Sequence, residues 1–175
     1  MRSIVFRQSC IYGCRQFGQE DQGWVAWFVI AALLGRRSTI FGNGKQVRDL
    51  LWVDDLVEAY WKAWQGPVCG GEIFNIGGGP QNTLSLLELL EILKQINPSL
   101  IPPRFADWRP GDQPVYVSDI GELRARLAWE PTISPREGVE KLWAWASENK
   151  EEIEAAVVTR STISEDIRVS SVVVP

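Results

Sequence analysis

The sequence predicts an α/β or α+β domain. Apolar runs rich in β-branched and aromatic residues alternate with stretches of helical periodicity. The strand-like runs are few and short, so a complete doubly wound sheet is not expected. The chain has 175 residues and is 45% apolar, enough for one sizeable core.

Ser3 to Tyr12 reads as a buried strand closed by Gly13. Cys14 to Gln22 is polar and reads as a loop. Gly23 to Arg37 reads as a helix, stopped by Gly35-Arg36-Arg37. Its centre, Trp24 to Leu34, holds 11 uncharged residues. Such a helix is buried on most sides or docks on a partner. Thr39 to Phe41 is a short strand, and Gly42 to Lys45 a turn. Val47 to Val53 is a strand with Arg48 and Asp49 inside it. Asp54 or Asp55 then caps a helix to about Gln65, ended by Gly66-Pro67.

Ile73 to Ile76 is a further short strand, and Gly77-Gly78-Gly79-Pro80 reads as a plain turn. Ser85 and Glu88 form a capping box. The helix they open has Leu86, Leu89, Leu90 and Leu93 on one face, and Asn97-Pro98 stops it. Pro102 to Gln113 reads as a loop. Asp119 opens a short helix. Ser134 to Glu137 is a second capping box with Pro135 at the first helical position. Its helix aligns Val139, Leu142, Trp143 and Ala146. Residues 1–150 are therefore expected to form the domain. Residues 151–175, acidic and then rich in Val, Ser and Thr, are expected to stand outside the core or to add a strand to a neighbouring sheet edge.

The composition excludes several classes. A formal charge of −4 argues against a dedicated nucleic-acid binder, and the apolar content against disorder. No apolar run nears the roughly 18 residues of a membrane span. Met1-Arg2-Ser3 leads into a strand-like run without a signal-peptide pattern. The count of zero histidines excludes Ser-His-Asp and Cys-His catalysis and His-ligated zinc within the chain. Cys10, Cys14 and Cys69 are odd in number and form no CxxC pair, which fits small packing residues in a reducing cytoplasm. No metal centre is expected.

Three segments could carry chemistry. Arg48 sits inside an apolar strand, where a charge needs a partner; Asp49, Asp54 or Asp55 supplies it, or the arginine faces a site. Trp108-Arg109-Pro110-Gly111-Asp112 is a tight turn presenting a cation and a carboxylate. Arg15 lies just past a strand end. Guanidinium forks bind phosphate oxygens bidentately, so two or three converging on one cleft would make a diphosphate clamp. The bland alternative for each is an ordinary ion pair. Among nine tryptophans, Trp24, Trp27, Trp143 and Trp145 read as core or interface. Trp52 and Trp108, beside the arginine segments, could stack on a planar ligand.

Four segments recur in a fixed order: Arg7-Gln-Ser-Cys-Ile-Tyr-Gly13, then Phe41-Gly-Asn-Gly-Lys-Gln-Val-Arg-Asp49 with Val53-Asp-Asp55, then Phe74-Asn-Ile-Gly77, then Arg109-Pro-Gly-Asp112. This set resembles the C-terminal half of an extended short-chain dehydrogenase/reductase of the NAD-dependent nucleotide-sugar epimerase/dehydratase family. Arg15-Gln-Phe with Asp21-Gln-Gly-Trp24 is similar to the CDP-tyvelose (CDP-paratose) 2-epimerase branch. The resemblance spans about residues 3–148. It implies a partial Rossmann-type α/β fold lacking the dinucleotide-binding half, with a small α+β substrate-binding region.

The resemblance also implies roles. Gln8, Ser9 and Cys10 would lie near the nicotinamide of NAD. Arg48 and Arg109 would hold the nucleotide phosphates. Asp112 would accept from the ribose. Gln46, Gln22 and Trp24 would line the substrate side. The family reaction oxidises a sugar carbon with bound NAD, lets the keto sugar rotate, and returns hydride to the other face. In the suspected branch that carbon is C2.

Family members also carry a glycine-rich fingerprint and a Tyr-x-x-x-Lys pair, and neither occurs here. Tyr12 is followed four residues on by Gln16, Tyr60 by Trp64 and Tyr116 by Ile120. No catalytic residue is therefore assigned. The expectation is the nucleotide-sugar-binding portion of an epimerase, inactive alone, taking a CDP- or UDP-linked sugar. Its partner would be a complementary N-terminal chain or a second copy. The alternative is a non-catalytic nucleotide-sugar-binding or partner-binding module.

Overall fold

The computed structural model describes residues 3–66 and 70–157. Its centre is β4 (Val47–Trp52). Leu50 and Trp52 enter one apolar core while Leu51 enters a second. Alternate side chains of a strand point to opposite faces, so a strand buried on both reads as a continuous apolar run. β2 (Cys10–Tyr12) pairs in parallel with the end of β4, Cys10 opposite Leu50. β6 (Thr83–Ser85) runs antiparallel to its beginning, and β8 (Val115–Tyr116) parallel to it. β1 (Val5–Gln8) pairs in parallel with β5 (Ile73–Ile76), and β3 (Thr39–Phe41) with β7 (Arg104–Ala106).

The first core lies between this sheet and three helices. α1 (Trp24–Leu33) is buried on most sides, as its uncharged centre predicts, and packs on α3 (Leu86–Ile96) and α5 (Pro135–Glu148). Trp24, Trp27, Trp143 and Trp145 pack against this core. The second core joins α2 (Val53–Gln65), β5 and α4 (Gly121–Leu127) around Leu56, Phe74, Leu123 and Trp129. Among the described residues no helix is long and apolar enough to cross a membrane.

Several expectations are corrected. The run from Ser3 to Tyr12 is two strands, broken at Ser9. There the backbone N–H donates to the Ile76 carbonyl at 2.9 Å, while the hydroxyl donates to Asp49. β1 is mostly exposed, because among the described residues nothing covers its outer face. Neither Asp54 nor Asp55 caps α2, since β4 runs straight into it and the N-cap is Trp52. Asp54 accepts from the Trp52 indole N–H at 2.9 Å instead. α4 starts at Gly121, with Asp119 accepting from the Gly121 N–H. The stretch read as one loop from Pro102 to Gln113 contains β7, and β6 and β8 also escaped the sequence reading.

At α5 the Ser134 hydroxyl accepts from the Glu137 N–H at 3.3 Å. The backbone is helical over 150–157, and Ile153 is fully buried in the first core. The chain after Asn149 therefore does not stand off the core at that point. Cys69 and residues 158–175 lie outside the described residues.

Candidate functional site

β4 positions the first cation. Its buried end anchors it in both cores, and Arg48 emerges from its less covered beginning. The Arg48 guanidinium donates to Asp112 at 2.8 Å and to the Val47 carbonyl at 2.9 Å. Gln46, just ahead of β4, is buried, and its amide nitrogen donates to the Phe41 carbonyl and, at 3.3 Å, to Asp112. These bonds hold the Arg109–Asp112 turn against the sheet.

The second cation comes from that turn. The Arg109 guanidinium stacks over the Phe41 ring, 3.9 Å from its centroid. One edge meets Asp21 at 2.8 Å, and both terminal nitrogens reach the Glu20 carbonyl at 3.4 Å. Asp21 belongs to a tight turn closed by two backbone hydrogen bonds between Gln19 and Gln22, of 2.7 and 3.1 Å. That turn leads through Gly23 into α1.

These elements enclose a cavity of about 370 Å³. Arg48, Arg109, Asp112, Gln46, Gln22 and Trp24 all line it. All six residues expected on the substrate side are thus brought together, in a volume suited to a small organic ligand. A second cavity, of about 490 Å³, is lined by Gln8, Ser9 and Cys10 and shares Gln22 and Trp24 with the first.

Gln8 and Ser9 already have partners, whereas the buried Gln16 Oε1 and Trp24 indole N–H in the same lining have none among the described residues. The Gln8 amide donates to the Tyr60 hydroxyl at 2.7 Å. The Ser9 hydroxyl donates to the carboxylate of Asp49, which is fully buried and also accepts from the Gly79 N–H at 3.1 Å. Burial pushes the Cys10 thiol above its ordinary range, so it stays neutral near pH 7. Gly77 and Gly78 lie so close to β4 that a Cβ on either would overlap the Asp49 carboxylate or the Leu50 carbonyl. The glycine run is a close crossing over β4 rather than a plain turn.

Other expectations fail here. Arg48 pairs with Asp112 and not with Asp49, Asp54 or Asp55. Arg15 lines neither cavity. Trp52 is buried edge-on against Tyr12 and cannot stack on a ligand. Trp108 packs beside Gly42, outside the lining. Sequence reasoning missed Phe41 as the platform for Arg109 and Asp21 as its counter-ion. A contact between residues so far apart in the chain leaves no local pattern.

Fold and site together define an α/β domain with a cavity held between two arginines. The comparisons with known proteins agree with this class. Residues 1–77 match the model of the NAD dependent epimerase/dehydratase family. The CDP-paratose 2-epimerase of Salmonella typhi is 41% identical over 155 residues, covering 84% of this chain and 45% of that protein. A UDP-glucose 4-epimerase of Mycolicibacterium smegmatis is 36% identical, covering 75% of this chain and 41% of that protein. The crystal structure of UDP-glucose 4-epimerase from Thermotoga maritima with UDP-glucose superimposes with a TM-score of 0.76 at 31% identity, over 85% of this chain and 47% of that one. UDP-glucuronic acid 4-epimerase from Bacillus cereus, in complex with UDP-glucuronic acid and NAD, superimposes with a TM-score of 0.74 at 27% identity, over 83% and 45%. The chain belongs to the NAD-dependent epimerase/dehydratase family and spans about half the length of the curated relatives it matches.

Proposed function

We propose that this chain is the nucleotide-sugar-binding, C-terminal half of an epimerase of the CDP-paratose 2-epimerase kind. The observation that carries the reading is the shared cavity of Arg48 and Arg109, far apart in sequence. Each guanidinium has in-plane N–H groups suited to phosphate oxygens, and the pair would grip a diphosphate. Asp112 keeps unused acceptor capacity after serving Arg48 and Gln46, enough for a ribose hydroxyl. Gln46, Gln22 and Trp24 line the space left for the sugar. The absence of the glycine-rich fingerprint and of Tyr-x-x-x-Lys from the sequence supports the assignment to the C-terminal half.

The residues present do not fit a complete NAD site. Gln8, Ser9 and Cys10 offer one wall, but their polar groups are engaged or neutral. The one glycine run that follows a strand leads into a 3-10 turn, Pro80–Asn82, so no α-helix N-terminus receives a phosphate there. This chain alone therefore carries no redox step and is inactive by itself.

Calorimetry on the purified chain tests the reading. Micromolar binding of CDP or UDP is expected, with no turnover of CDP-paratose. Replacing Arg48 with Ala weakens binding by about tenfold or more, the range of a hydrogen bond to a charged group. Failure of both nucleotides to bind overturns the binding assignment, and turnover overturns the inactivity. A complementary N-terminal chain or a second copy is the proposed protein partner. The alternative, a partner-binding module, is favoured by the exposed Trp61 and Trp64 on α2, and nucleotide titration separates the two.

A further inference from the structure

The charges lining the 370 Å³ cavity do not favour an anion as they stand. The lining residues include the cations Arg48 and Arg109 and the acids Glu20, Asp21 and Asp112, so acidic residues outnumber basic ones by one. A diphosphate can be attracted only if one carboxylate gives way. We propose that Asp21 is that group: a displaceable counter-ion that occupies the phosphate-facing edge of Arg109 and is exchanged for the ligand's diphosphate. The inference rests on the diphosphate reading above and adds the residue that sets its affinity.

Geometry separates the two ion pairs. The Arg48–Asp112 pair is largely covered, with side chains 19% and 25% exposed. It is also tied by Gln46 to Asp112 and by Arg48 to the Val47 carbonyl. Breaking it would leave several part-buried polar groups unpartnered, which is costly. Asp21 is 85% exposed and its pair with Arg109 is open to water. Exposed pairs contribute little and separate easily.

Arg109 does not depend on Asp21 for its place. The Phe41 ring supports one guanidinium face at 3.9 Å, and the bonds to the Glu20 carbonyl are long, at 3.4 Å. A cation stacked on a ring keeps its in-plane N–H groups for hydrogen bonding. When Asp21 turns outward, the same edge is presented to phosphate in the same orientation.

The test is calorimetry with CDP on the whole chain and on two charge-matched variants. Asp21→Asn removes the counter-ion. Asp107→Asn makes the same change in net charge at an exposed position outside the cavity lining. Asp21→Asn should bind CDP about three- to fivefold more tightly than the unmodified chain, the factor set by an exposed ion pair. Asp107→Asn should match the unmodified chain. The gain should fade in roughly 0.5 M salt, where the screening length is only about 4 Å. Cytidine, which carries no phosphate, should not distinguish Asp21→Asn from the unmodified chain. Equal or weaker CDP binding by Asp21→Asn overturns the inference, as does an equal gain in Asp107→Asn or a gain for cytidine. If none of the three proteins binds CDP, the diphosphate reading itself falls.

Discussion

Asp55 is buried in the first turn of α2 and accepts from the backbone N–H groups of Thr132 and Ile133, each at 3.1 Å, and from the Thr132 hydroxyl at 2.6 Å. Its own carbonyl accepts from the Trp129 indole N–H at 2.9 Å. One residue thus fastens the link between α4 and α5 to the second core. Asp55→Ala leaves three donors without their acceptor and should lower unfolding stability by about 2–4 kcal/mol, measured by urea titration. Asp54, its neighbour, accepts from the Trp52 indole N–H, so the two adjacent carboxylates do different work. Arg48 offers a second contrast. Lysine there keeps the charge but cannot span Asp112 and the Val47 carbonyl with one planar fork. Arg48→Lys should therefore weaken CDP binding severalfold with little loss of stability, a split that titration and melting together would reveal.

At the scale of single elements, α3 is the clearest case of sequence dictating structure. The Ser85 hydroxyl accepts from the Glu88 N–H at 3.3 Å, and the Glu88 carboxylate accepts from the Ser85 N–H at 2.7 Å. The Ser85 hydroxyl, followed by its backbone N–H, draws the Glu88 carboxyl below the ordinary glutamate range. A carboxyl with a lowered folded value stabilises fully above its unfolded value, about 4.3, and loses that contribution as pH falls through the folded one. Ser85→Ala should cost about 1 kcal/mol at pH 7 and less near pH 3, checked by melting at both. Helices such as α1, α3 and α5 were legible because caps and periodicity are local. The strands β6, β7 and β8 were not, because two or three residues carry no period and exist only through β4 or β3. The site followed the same division. Arg48, Arg109 and Asp112 drew notice as charges in unusual local settings. Their convergence, and the parts played by Asp21 and Phe41, depend on how β3, β4 and the turn before α1 meet, and no short window contains that.

At the scale of the whole molecule, the described residues leave one side uncovered. The β1–β5 ladder is packed by α2 on one face, where Phe6 meets Tyr60 with ring centroids 4.9 Å apart. Its other face exposes the paired Val5 and Ile73, 52% and 54% accessible. β1 pairs with β5 alone among the described residues, so its outer edge is free. α2 adds Trp61 and Trp64, 52% and 75% accessible, their rings tilted by 34° with centroids 5.0 Å apart. An open strand edge flanked by apolar side chains is a template for another chain. The complementary N-terminal chain proposed above would cover this side. Without it, a second copy should take its place. Sedimentation of the chain alone should then show species heavier than the 19.7 kDa monomer. Replacing Trp61 and Trp64 with Glu should weaken that association about tenfold or more, since exposed aromatic anchors dominate such contacts. The cores stay intact in this variant, because both side chains point to solvent, so CDP binding should survive. A chain that remains a compact monomer at all concentrations would show that this side needs no cover.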